Sequence, residues 1–202
     1  MKKAKIGYQV YSAREEAEKD LYGVLTELKK YGYDGVELAG FYHYSAGEIA
    51  SMLKDTGMEA ISDHVPFARL NSDIDNVIEE HLAIGCRYIA VPFMEEAYRP
   101  GKPGFADVIR NVYTIGSKCS NAGIQLLYHN HDFEFEIISG MYGLDFLYAA
   151  VDSDILKTEI DTCWVRYSGV DPCDYVRKYR GRAPIVHLKD YVGKKVITSL
   201  MR

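Results

Sequence analysis

The chain lacks a long apolar run, a paired-cysteine motif, an excess of basic charge and a glycine-rich nucleotide fingerprint. Each absence removes a class. A bilayer span needs about 20 consecutive apolar residues, so no membrane partner is expected. The basic start Met1-Lys2-Lys3-Ala4-Lys5 runs into a segment broken by Gly7, Gln9 and Ser12, which makes a poor secretory signal. A reducing cytoplasm is the expected setting. The four cysteines, Cys86, Cys119, Cys163 and Cys173, form no C-x-x-C pair, which argues against a zinc ribbon or redox motif. Cys86 and Cys119 sit among apolar neighbours and read as core thiols. A formal net charge of −5 offers a polyanion no general attraction, so no nucleic-acid partner is expected. With no Gly/Ser linker and no low-complexity stretch, residues 1–202 read as one domain.

What is present is an alternation of strand and helix patterns. Residues 5–12 read as a strand, and 15–31 as a helix with Leu21, Leu25, Leu28 and Tyr31 on one stripe, stopped by Gly32. Strand 35–39 follows. Ser45-Ala46-Gly47-Glu48 is a capping box that opens a helix ending at Gly57. Strand 59–65, helix 72–84, strand 87–93 and helix 105–122 continue the pattern, with Gly85 and Gly123 as stops. Then come strand 124–130, helix 141–151, strand 156–161, a helix opened by Asp171-Pro172, and strand 185–189. Strict alternation implies a parallel sheet with helices packed outside it. A doubly wound sheet should carry G-x-G-x-x-G after its first strand, and none is there. A parallel (β/α) TIM-type barrel, whose chemistry gathers at the C-terminal strand ends, fits better.

Those strand ends turn abruptly polar. Side chains alternate along a strand, so His129 shares a face with His131, Glu159 with Asp161, and His187 with Lys189. Imidazoles and carboxylates converging inside a barrel are ligands for a divalent metal such as Mn²⁺, Zn²⁺, Co²⁺ or Mg²⁺. The competing reading is a set of buried hydrogen-bonded pairs without metal. One strand would favour the pairs; three in succession favour a site, because buried charges need partners or metals. Glu37 divides evenly between orienting a substrate and pairing with a lysine. His64 leans towards function, and Trp164 either stacks on a sugar ring or covers a loop. His43 and His81 read as ordinary. Asp132, Glu134 and Glu136, alternating with Phe133 and Phe135, read as a half-exposed extension. Lys194 and Lys195 read as a solvated pair.

Four segments, Asp34-Gly35-Val36-Glu37-Leu38, Tyr128 to Phe135, Glu159 to Val165 and Val186-His187-Leu188-Lys189-Asp190, resemble the sugar phosphate isomerase/epimerase family of xylose isomerase-like barrels. The resemblance runs from about Lys5 to Asp190. Inosose dehydratases belong to the same group, and endonuclease IV is a distant member. The resemblance implies one divalent metal held by a Glu, an Asp, a His and a second Glu from strands five to eight. Asp161 matches the Asp and His187 the His, and His129 stands where the first Glu is usual. The second Glu has no counterpart, because only twelve residues follow Asp190. Seven strands are therefore expected, with the eighth strand–helix unit missing or replaced. Pairing by the tail (residues 196–200 could form a strand), exchange within a homodimer, or a chain shortened from a longer protein would each account for the gap; the shortened chain is preferred.

The resemblance thus implies a metal-dependent isomerase or epimerase acting on a small sugar or keto-polyol. His129, Asp161 and His187 would hold metal. His129, Glu159 and Lys189 would take part in catalysis, and Glu37, His64, His131 and Trp164 would touch substrate. A dehydratase of the inosose type and a non-catalytic sugar-binding barrel are the alternatives; a nuclease is disfavoured by the charge and by the few ligands.

Overall fold

The computed structural model describes residues 4–192 and 195–196. Seven parallel strands form one sheet in sequence order: β1 (Gly7–Gln9), β2 (Gly35–Leu38), β3 (Glu59–His64), β4 (Tyr88–Val91), β5 (Gln125–His129), β8 (Leu156–Asp161) and β9 (Ile185–His187). Two short hairpins stand apart, β6 (Ile137–Ile138) with β7 (Met141–Tyr142), and β10 (Tyr191–Val192) with β11 (Lys195–Val196). Between the strands run α1 (Arg14–Lys30), α2 (Ala46–Thr56), α3 (Phe67–Ala83), α4 (Phe105–Asn121), α5 (Gly143–Ala150), α6 (Thr162–Tyr167) and α7 (Pro172–Lys178).

The sheet is rolled. Glu37 and His187 lie near the C-terminal ends of β2 and β9, which are five strand steps apart. At ~4.8 Å per step a flat sheet would separate them by about 24 Å. Their side chains meet at 2.8 Å. The fold is a (β/α) TIM-type barrel of seven strands, open between β1 and β9 among the described residues. The described part of the tail does not fill that opening, since its strand β11 pairs with β10. Ile197 to Leu200, the rest of the strand expected there, lie outside the described residues, as do the side chains of Lys194 and Lys195.

The caps follow the sequence. Ser45 and Glu48 form the reciprocal capping box of α2, and Asp171 caps α7 with Pro172 at its first position. Gly57 closes α2 in the left-handed conformation, φ +66°, which a side chain would strain. Cys86 and Cys119 are buried thiols. Several boundaries differ from expectation. The first strand is only Gly7–Gln9, because Val10–Ala13 turn into a 3-10 segment that Gln9 caps with its side chain. The third helix starts five residues early, at Phe67, and bends at Asp73. The fifth starts late, at Gly143, because Met141 and Tyr142 pair in a hairpin. The last strand stops at His187, not 189.

The core divides in two. One cluster, including Leu21, Leu25, Val36, Leu38, Ile49 and Leu53, packs α1 and α2 against the first strands. A larger one, including Val77, Ile89, Val112, Leu126, Leu156 and Ile160, packs α3 to α7 against the rest. None of the described helices is long and apolar enough to cross a membrane.

Candidate metal centre

Rolling the sheet brings five strand ends onto one point. Ligand atoms of His64 (β3), His129 (β5), Glu159 (β8) and His187 (β9) all lie within 4.8 Å of one another. Glu159 Oε1 is the hub, 2.7 Å from His64 Nε2, 3.1 Å from His129 Nδ1 and 3.3 Å from His187 Nε2. Glu37 of β2 adds a second carboxylate, with Oε1 3.0 Å from His64 Nε2 and 2.8 Å from His187 Nε2. Its two oxygens also accept from Gln9 and Ser62. Both carboxylates are buried, at 5% exposure for Glu37 and none for Glu159.

Electrostatics separates the groups. Burial works against ionisation of Glu37, yet the flanking His64 and His187 outweigh it and hold its carboxyl well below the usual range. Burial also opposes charge on His64 and His187, but Glu37 and Glu159 dominate: His64 is driven well above its ordinary value and His187 up to about 9. His129 goes the other way. Burial, with His187 and His64 alongside, pushes it well below its ordinary value, so it stays the neutral imidazole. Glu159 is raised by burial and by Glu37. Three imidazoles and a carboxylate in contact could hold a metal ion. Glu159 Oε2 is buried without a hydrogen-bond partner, leaving a second lone-pair donor for a cation.

The site thus sits at the C-terminal mouth of a seven-stranded parallel barrel. Residues 25–197 match the family described as a xylose isomerase-like TIM barrel. This chain belongs to that family. An inosose dehydratase of Geobacillus kaustophilus is 22% identical over 189 residues, covering 83% of this chain and 61% of that protein. One of Clostridium perfringens is 26% identical over 105 residues, covering 52% of this chain and 35% of its own length. The chain therefore spans less than two thirds of either relative. Among solved structures, a sugar phosphate isomerase/epimerase from Parabacteroides distasonis superposes with a TM-score of 0.81 at 21% identity, over 94% of this chain and 79% of that one. An L-ribulose 3-epimerase gives 0.70 at 19%, over 96% and 74%. At such identities the likeness is one of fold.

Set beside the ligands that the family resemblance implies, His129 and His187 lie in the contact group and Asp161 lies at its edge. Asp161 Oδ1 accepts from the backbone N–H of Cys163 and Trp164, so it caps α6. Its Oδ2 is 2.9 Å from Lys189 Nζ, and 3.9 Å and 4.0 Å from nitrogens of His129 and His187. Glu159, Glu37 and His64 are in the contact group. His131 and Trp164 stand just outside, their rings 5.2 Å apart, with His131 also 5.2 Å from His129. Lys189 lies over the Trp164 ring at 5.2 Å.

Several supporting residues escaped the sequence reading. Asn130 bridges β5 and β8: its Oδ1 accepts from Asp161 N at 2.9 Å and its Nδ2 donates to Asp161 O at 3.3 Å. Gln9 and Ser62 were both detectable, one as a polar strand end and the other two residues before His64 on the same face. Asp63 meets His81 at 3.0 Å and accepts from Gly40 N at 2.9 Å, so His81 is the satisfied core histidine expected of it. Glu134 corrects an expectation. It is not half-exposed but buried in a 3-10 turn (Phe133–Phe135), accepting from Tyr128 Oη at 2.8 Å and His131 N at 2.7 Å. Two hydrogen bonds around one short turn are invisible to a periodicity argument. His43 lies against Tyr44, outside the site.

Proposed function

We propose that the chain carries the metal centre of an isomerase or epimerase that transfers a proton next to the carbonyl of a small sugar or keto-polyol. The observation that supports this most is the meeting of His64, His129, Glu159 and His187 from four strands within 4.8 Å. A bound divalent cation would polarise the carbonyl and acidify the adjacent C–H. The chain's own groups supply the rest. Glu159, His64 and His187 would hold the cation, with Glu37 facing the same two histidine nitrogens. His129, kept neutral by burial and its neighbours, would offer a free lone pair as ligand or base. Lys189, paired with Asp161, would steady a substrate oxygen. Asp161, buried beside the ligands, would support them from behind, near the ring nitrogens of His129 and His187 that face away from Glu159.

A dehydratase is the second reading, favoured by the two relatives that are inosose dehydratases. Removing the same proton and expelling a β-hydroxyl gives that outcome. One experiment tests both. The protein is loaded with Mn²⁺, Co²⁺ or Zn²⁺ and incubated in D₂O with keto-sugars and keto-polyols, and NMR follows C–H exchange and loss of water. Exchange without elimination supports isomerisation, and elimination supports the dehydratase. Absence of both, with no metal retained, rejects the metal centre.

A further inference from the structure

The loop that leads from β4 into α4 carries a single arginine. Arg99 closes the 3-10 turn Glu96–Tyr98, and its Nε donates to Met94 O at 2.9 Å. Its guanidinium carbon lies 3.8 Å from the centre of the Phe133 ring and 5.1 Å from that of Phe93. The two rings meet edge-on, 5.6 Å apart at 85°, so the guanidinium rests in an aromatic corner. Contacts with two ring systems and a main-chain acceptor fix a side chain that would otherwise be free to swing.

The corner leaves the far edge of the guanidinium open. With Nε taken, the Nη1–Nη2 side has no hydrogen-bond or carboxylate partner among the described residues. Elsewhere Arg69, Arg110 and Arg177 reach carboxylates, and Arg182 donates to three carbonyls. The acids of the two neighbouring turns are otherwise engaged. Glu96 faces Lys102 at 3.7 Å, and the buried Glu134 accepts from Tyr128 Oη and His131 N. In a chain of net charge −5, a stacked, half-buried guanidinium without a carboxylate is suited to an anionic ligand.

One row of rings joins this corner to the metal centre. His129 is 5.2 Å from His131, His131 stacks on Phe133 at 5.5 Å with 4° between planes, and Phe133 carries Arg99. The charge of Arg99 is felt along the row: with burial, His129, Lys189 and His64 ahead of it, it too pushes the His131 imidazole down. A substrate whose carbonyl lies at the centre would extend its far end along this row.

We propose that Arg99 is a specificity-determining residue that receives a terminal phosphate or carboxylate of the substrate on its Nη1–Nη2 edge. Both anions match a fork of paired N–H donors, which a lysine cannot offer. The assignment rests on the proton-transfer reading for the position of the carbonyl, yet it is read out separately.

D-fructose, D-fructose 6-phosphate and D-fructuronate share one carbon skeleton and end in a hydroxyl, a phosphate and a carboxylate. Each is titrated calorimetrically into the Mn²⁺-loaded protein. At least one anion should bind about tenfold or more tighter than fructose, and the tighter of the two names the group. Arg99→Gln should remove that advantage and leave fructose unchanged. Arg99→Lys, which keeps the charge without the fork, should recover part of it. An arginine that only pins its loop to Met94 would, when replaced by Gln, weaken all three ligands alike. That result, equal affinity for the three in the unaltered protein, no binding of any, or an advantage that survives Arg99→Gln overturns the proposal. C–H exchange in D₂O on the same samples separates the two readings. Exchange without an anion advantage rejects the role of Arg99 alone. An Arg99-dependent advantage without exchange rejects the proton transfer alone.

Discussion

Glu159 and Asp161 are two residues apart on one strand face, and replacing each by its amide tells which one a metal depends on. Glu159 Oε1 is within 3.3 Å of three imidazole nitrogens, and Asp161 Oδ2 is no nearer than 3.9 Å to any. A cation at a hundred times its dissociation constant stabilises the folded chain by ~2.7 kcal/mol. For a chain of this size each kcal/mol moves the melting midpoint by about 2–4 °C, so Mn²⁺ or Co²⁺ should raise it by about 5–11 °C. Glu159→Gln should abolish that rise, because the shared oxygen loses its charge. Asp161→Asn should keep most of it. Asn caps a helix as well as Asp does, so the N-terminus of α6 survives and only the Lys189 pair is lost. Differential scanning fluorimetry with and without metal reads both variants. Loss of the rise in Asp161→Asn with retention in Glu159→Gln would falsify the assignment and return the metal to His129, Asp161 and His187.

Three further outcomes follow from named contacts. Glu37→Gln leaves two buried, proton-rich histidines with only Glu159 opposite, so urea unfolding without metal at pH 7 should show a loss of about 3–5 kcal/mol; a loss no greater than that of Glu159→Gln contradicts the arrangement. Asn130→Ala removes both bonds to the Asp161 backbone and should cost about 2–4 kcal/mol by the same measurement; a neutral result would show that β5 and β8 need no side-chain bridge. Burial raises the Glu134 carboxyl from 4.5 to about 7. Its folded value exceeds the unfolded one, so its contribution is complete below about pH 4.5 and disappears as pH rises through about 7. Between pH 5.5 and 8.5 the native protein should therefore lose about 2 kcal/mol that Glu134→Gln does not lose, and equal slopes in the two proteins would refute the shift.

How far the sequence could be read depended on the range of the interaction. Periodicity and the Gly57, Gly85 and Gly123 stops are local, so strand and helix order emerged from them, and Ser45 and Asp171 identified their helices. Alternation along β5, β8 and β9 put His129, Glu159 and His187 on inward faces. It could not say that His64, 95 residues before Glu159, would lie against it, because that depends on how tightly the sheet rolls. Nor could it choose for Asp161 between capping the next helix and facing the cluster, a matter of one side-chain rotation. Glu134 was misplaced because alternation was carried past His129, where the strand stops and a tight turn begins.

The two cores described above give the site a role in folding as well as in chemistry. Glu37 is carried by a strand of the smaller core, and His129 and Glu159 by strands of the larger one. Their side chains meet across the barrel mouth, so a ligand held there fastens the two parts like a clasp. Amide hydrogens of β1 and β2, at the free edge of the smaller core, would then exchange more slowly when the site is filled.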